Sequence, residues 1–276
     1  MFTRVITDNP PRISVVIPTL NEADNLPHVL PYLPDWVDEV ILVDGRSTDN
    51  TVEVAQELWP CIQIVHQTGC GKGNALREGF SAATGDIIVM MDADGSTSPR
   101  EVPAFVAMLV AGADFVKGSR FLQGGGSEDI TLFRRIGNWA LLSLVRVAFK
   151  CHYSDLCYGF NAFWSYHLPR LNPDVDGFEI ETSLNLRALS AGLNVAEIPS
   201  FEARRIHGES HLKAVPDGMR VLKTIFREWF TTRAPSPLRE LTGQSYPVGP
   251  SVNVTNNSPF SKAIPADNIE RQRNGC

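Results

Sequence analysis

Asp92 and Asp94 are separated by a single alanine at the end of the apolar run DIIVMMD. Two carboxylates held this close repel each other unless a cation lies near them. Their oxygens are hard ligands, so the pair suits Mg2+ or Mn2+ with phosphate oxygens completing the shell. Taken alone, the triplet reads equally well as an acidic turn in which Asp94 caps the next helix. Three other polar clusters shift that balance. Pro18-Thr19-Leu20-Asn21-Glu22 closes the run RISVVIP, Asp44-Gly45-Arg46-Ser47-Thr48-Asp49 closes EVILVD, and Gly69-Cys70-Gly71-Lys72-Gly73-Asn74 follows IQIVH. Asp44 ends a strand, where a carboxylate can accept hydrogen bonds from a base or ribose. Its alternative role is a loop cap, and Ser47 and Asp49 serve equally as a turn and an N-cap. Gly71-Lys72-Gly73 lets backbone approach a ligand and supplies one cation. It is not a Walker loop, and no Gly-x-Gly-x-x-Gly follows the first strand, which counts against a dinucleotide dehydrogenase.

These clusters need elements that bring them together. Short apolar runs predict strands at 12–18, 39–44, 62–66, 86–92 and 114–117, and helical stretches follow at 23–32, 51–59, 74–83 and 99–111. Strands alternating with helices make a mostly parallel sheet covered on both faces, the α/β class. Ligands of such sheets bind beyond the carboxyl ends of the strands, which places all four clusters on one rim. After residue 118 the pattern changes. A Gly124-Gly125-Gly126 loop leads to a helix over 132–149, irregular sequence to Gly159, a helix over 179–191, a strand over 195–198 and an amphipathic helix over 215–230. The expected organisation is a tail over 1–11, a ligand-binding half over 12–118, an α+β extension over 119–232 and a disordered tail over 233–276.

The 276 residues carry a formal net charge of −6, so no overall basic field points to nucleic acid. Five cysteines, an odd number with no zinc spacing, read as reduced thiols. No basic-then-apolar leader and no apolar run near the roughly 20 residues of a spanning helix is present. The expectation is a cytoplasmic protein, with peripheral membrane contact through the amphipathic helices 132–149 and 215–230 set against plain core packing.

The segments VVIPTLNEADNL, VDGRSTDNT, GKGNALREGF, TGDIIVMMDADGS, GADFVKGSRFLQGGG, DLCYGFNAF and RRIHGESHL resemble glycosyltransferase family 2, within it the polyprenyl-phosphate sugar synthases. They run from about residue 12 to 230. The resemblance implies a GT-A, Rossmann-like fold and an inverting transfer from a UDP- or GDP-linked sugar. It implies nucleotide-sugar contacts at Pro18, Leu20, Asn21, Glu22, Asp44, Ser47, Lys72, Asp92 and Ala93. It implies metal binding at Asp92 and Asp94, and basic residues facing phosphates at Arg120, Arg134 or Arg135, and Arg205. Three places depart from the family's pattern: Val43-Asp44 in the second loop, His211 after Gly-Glu-Ser, and the acidic Phe178-Glu179-Ile180-Glu181.

Inversion requires one in-line attack on the anomeric carbon while a nucleoside diphosphate leaves with growing negative charge. Asp94 is the expected metal ligand, with Asp92 assisting. A lipid phosphate is already ionised and needs a cationic clamp, for which Arg134, Arg135 and Arg205 are the candidates. A hydroxyl acceptor would need a base instead, Asp155 first and Glu179 or Glu181 next. Two rivals stand beside the transferase: a sugar-phosphate nucleotidylyltransferase, and a non-enzymatic nucleotide-binding module. The first would want a Gly-rich, Arg/Lys-bearing loop after strand one. The second would need none of the hundred-odd residues after Asp94.

Overall fold

The structure is a computed structural model that describes residues 10–209 and 212–233. The tail over 1–9, the segment beyond Arg233 and His211 lie outside the described residues.

A seven-stranded sheet carries the architecture. Its strands are β1 (Ile13–Thr19), β2 (Glu39–Asp44), β3 (Gln63–His66), β4 (Ile87–Met90), β5 (Phe115–Ser119), β7 (Asn161–Trp164) and β8 (Val195–Pro199), and a separate two-stranded sheet pairs β6 (Gly126–Ser127) with β9 (Phe201–Glu202). The order across the large sheet is β3-β2-β1-β4-β7-β5-β8. β7 is antiparallel to both neighbours, and every other pairing is parallel. Successive side chains of a strand point to opposite faces. Ile13, Val15 and Ile17 accordingly enter one core, and Val16 enters another.

Helices α1 (Thr51–Leu58) and α3 (Val102–Val110) cover the first face, and α2 (Lys72–Ala82) and α6 (Ile180–Ser190) the second. A third core joins α4 (Leu132–Phe149), α6 and α7 (Ala214–Arg233) through Leu142, Val145, Leu186, Val221 and Ile225. Helix α5 (Leu168–Leu171) is a single turn. Arg187 on α6 fixes α7 by donating to Glu228 at 2.9 Å, and Asp174 accepts from both Arg187 and Arg227.

Three expectations need correction. The stretch 23–32 is not one helix but two 3-10 turns, Leu26–His28 and Leu30–Tyr32. Pro27 and Pro31 lack the amide that a continuous helix would use, so each proline starts a new turn. β7 has no sequence forecast, because four residues beside an irregular segment carry too little pattern. Cys70, Cys151 and Cys157 are free thiols, whereas Cys61 is disulfide-bonded. No helix among the described residues is long and apolar enough to cross a membrane.

Candidate active site

The carboxyl ends of β1, β2 and β4 and the start of α2 meet around a cavity of about 740 Å³. The first two loops are stitched together by Asn21, whose φ is +57°. Its amide donates to Ser47 Oγ at 2.9 Å, and its Oδ1 accepts from the Thr48 amide at 2.7 Å. Asp44 is buried at the end of β2 and accepts from the Ser47 amide at 3.2 Å. Asn21, Asp44 and Ser47 therefore bond within and between these loops without lining the cavity, while Pro18, Leu20 and Glu22 form its wall. Arg46, which the sequence reading passed over, also lines the cavity.

Lys72 opens α2 and points into a carboxylate pair. Its Nζ lies 2.5 Å from Asp92 and 2.7 Å from Glu181. Burial acts to lower the ammonium's pKa, but the two carboxylates outweigh it and hold it above the ordinary lysine value. Burial likewise pushes the Glu181 carboxyl up, against the pull of Lys72. This cluster dictates a glycine opposite it. A Cβ on Gly159 would sit 2.9 Å from both Asp92 Oδ2 and Lys72 Nζ.

Asp94 Oδ1 accepts from the Ser96 amide at 3.0 Å, and Oδ2 lies 3.3 Å from Arg205 Nη1. Arg205 also bonds Glu22, whose other oxygen accepts from Asn25 at 2.6 Å. Among the described residues no group of three or more His, Cys, Asp or Glu could hold a metal by itself. Two partly exposed carboxylates at a cavity wall nevertheless fit a hard dication that draws its remaining ligands from phosphate oxygens.

Arg120 lines the cavity at the end of β5. Its guanidinium donates to Asp155 at 2.7 and 3.0 Å and to Glu202 at 3.1 Å. Asp155 is fully buried and off the cavity wall. Burial alone would raise its carboxyl, but the Arg120 charge and hydrogen bonds hold it below the ordinary aspartate value. Arg134 reaches the cavity wall, held by Asp129 at 3.0 Å. Arg135 is exposed, off the wall, and lies over the Phe121 ring at 5.7 Å. Arg204, adjacent to Arg205 in the RRIHGES segment, is a further cation on the wall.

Residues 14–166 match the profile of glycosyl transferase family 2. The chain belongs to that family. A dolichol-phosphate mannosyltransferase of Pyrococcus furiosus is 30% identical over 224 residues, covering 78% of this chain and 61% of that protein. An undecaprenyl-phosphate mannosyltransferase of Micrococcus luteus is 30% identical over 213 residues, covering 73% and 87%. Glucosyl-3-phosphoglycerate synthase of Mycobacterium tuberculosis, solved with Mn2+, UDP and glucosyl-3-phosphoglycerate, superposes with a TM-score of 0.66 at 26% identity over 80% of each chain. The family 2 sheet seen here is the GT-A architecture, and the expectations of family and fold class both hold.

Proposed function

We propose that this family 2 glycosyltransferase moves a hexose, with inversion, from a nucleotide-diphosphate sugar to a polyprenyl phosphate. One observation carries the reading: a single cavity is lined by carboxylates, by cations and by apolar side chains. Its wall combines Asp92, Asp94 and Lys72 with the cations Arg134, Arg204 and Arg205 and with the apolar Phe133, Leu141 and Val221 of α4 and α7. Carboxylates for a metal and diphosphate, cations for a second phosphate and apolar helix side chains in one cavity suit a donor facing a phosphate on a hydrocarbon chain.

In this reading Asp92 and Asp94 hold Mg2+ or Mn2+ on the donor. The metal, when bound, offsets the charge that builds on the departing diphosphate. Lys72 is placed to assist it, and Arg134, Arg204 and Arg205 grip the acceptor phosphate. A phosphate oxygen of the acceptor forms the new bond to the anomeric carbon as the bond to the diphosphate breaks. No base is required, which agrees with Asp155 being committed to Arg120.

The surfaces beside the cavity support a peripheral membrane enzyme. Leu132, Ile136 and Trp139 of α4 are 74%, 57% and 66% exposed, and Val215 of α7 is 63% exposed. The two helices carry seven basic and two acidic residues in a chain of net charge −6. An apolar stripe framed by cations is the surface that anionic bilayers bind.

A hydroxyl acceptor is the second reading, favoured by Glu181 on the cavity wall and by the phosphoglycerate acid bound in the mycobacterial structures. One assay separates the two. UDP- and GDP-linked sugars are supplied with Mn2+ and either a short polyprenyl phosphate or 3-phosphoglycerate. Product on the lipid phosphate alone is expected. Product on the hydroxyl acceptor alone would overturn the lipid-phosphate reading while leaving the transferase in place.

A further inference from the structure

Both carboxylates of Asp92-Ala93-Asp94 are already matched by cations of this chain, and the two cations are fixed very differently. Lys72 belongs to a helix and is wedged between Asp92 and Glu181. Arg205 belongs to the 203–209 loop, which has no regular secondary structure and is held by a few latches. The Ala203 amide donates to the Ser96 carbonyl at 2.9 Å, and the Ile206 amide to the Asp94 carbonyl at 3.2 Å. The His207 amide donates to Asn25 Oδ1 at 2.9 Å. Gly95, with φ +76°, makes room for the loop: a Cβ there would meet Ile206 Cδ1 at 2.6 Å. Asp94, which would help to carry the metal, is thus also a residue on which this loop rests.

We infer that Arg205 is a built-in counter-cation that competes with the metal for Asp94, so that metal loading and loosening of the 203–209 loop on Asp94 are one coupled event. The inference rests on the donor-site reading above. A dication and a guanidinium on one carboxylate repel each other, so holding both costs more than holding either. Each must therefore weaken the hold of the other, and by the same factor. Glu22 keeps a grip on Arg205 while Asp94 lets it go, so the freed guanidinium stays at the cavity wall, within reach of a phosphate.

The consequence is a reversal of sign. Truncating Arg205 removes a competitor and a positive charge, so the metal alone binds more tightly. The same truncation removes a phosphate-gripping cation, so turnover falls. A residue that merely kept the site folded would lower both.

Calorimetric titration of the full chain with Mn2+, without nucleotide, tests this. Arg205→Ala is expected to bind Mn2+ about tenfold more tightly than wild type, and Arg205→Lys to stay close to wild type. Unchanged or weaker binding in Arg205→Ala overturns the inference. Hydrogen exchange on the unaltered protein gives a second readout that no variant's folding can confound. The Ile206 and His207 amides should exchange faster when Mn2+ is added, and unchanged or slower exchange overturns the coupling. Absence of Mn2+ binding in every form, with UDP or GDP present, removes the donor-site reading as well. Binding that ignores Arg205 removes this inference alone.

Discussion

Arg120 grips Asp155 through hydrogen bonds of 2.7 and 3.0 Å, with the carboxylate fully buried and the guanidinium at the cavity wall. The pair gives Asp155, the first candidate base for a hydroxyl acceptor, the place of a buried partner to a cation. Its energetics follow from burial. Removing one partner of a buried pair typically costs about 3 to 5 kcal/mol, because the other charge is left uncompensated.

Asp155→Asn should therefore lower stability by roughly that amount near neutral pH, as read by urea denaturation. The folded-state carboxyl lies below the ordinary value of 3.8. Its contribution is complete above that value and is lost as pH falls through the folded value. The stability gap between wild type and Asp155→Asn should accordingly close on the acid side, below about pH 4. A gap that is constant from neutral to strongly acid pH would contradict the ion pair.

Asp94→Ala should cut kcat by about 100-fold or more, and chelation of divalent metal should do the same to wild type. Steady-state kinetics with the preferred nucleotide sugar supplies the measurement. Full activity of Asp94→Ala would remove the metal from the donor site.

Gly159→Ala places a methyl group against Asp92 and Lys72. The donor site should be damaged beyond the cost in stability, which overpacking puts at about 1 to 3 kcal/mol. Donor binding by titration should weaken about tenfold or more, equivalent to about 1.4 kcal/mol. A variant that binds donor normally would mean that Asp92 and Lys72 can separate without loss.

Ile136→Glu with Trp139→Glu changes two exposed α4 side chains that do not line the cavity. Cosedimentation with anionic liposomes should be lost, while turnover of a short, water-soluble acceptor stays within about twofold of wild type, as expected for a surface change of small energetic effect. Equal liposome binding by both proteins would assign these side chains no part in membrane contact.

The sequence was informative where structure is local. β2 coincides with its forecast over 39–44, and α4 with its forecast over 132–149, because each is announced by an uninterrupted pattern and bounded by turn residues. Asp92, Ala93, Asp94 and Lys72 could be placed on one rim because parallel topology alone brings strand ends together. What stayed hidden was pairing across the chain. Nothing in the spacing of Arg120 and Asp155 announces that 35 residues of separation close into a salt bridge. Nor could spacing tell that the Asn21 amide would donate to Ser47, or that Arg46 and Arg204 would line the cavity. The prolines at 27 and 31 are visible in the sequence, and their missing amides divide the 23–32 segment into two short turns.

The charge of α4 and α7 has one more consequence. Seven basic and two acidic residues sit on helices of a chain whose formal net charge is −6, so the rest of the chain carries a formal −11. The two helices carry a formal net charge of +5 and border the cavity through Arg134, Leu141 and Val221. On the membrane reading proposed above, an anionic bilayer would attract these two helices, and the cavity they border, rather than the acidic remainder of the chain. This attraction reaches only about 8 Å at physiological ionic strength, so added salt should slow arrival more than it speeds departure.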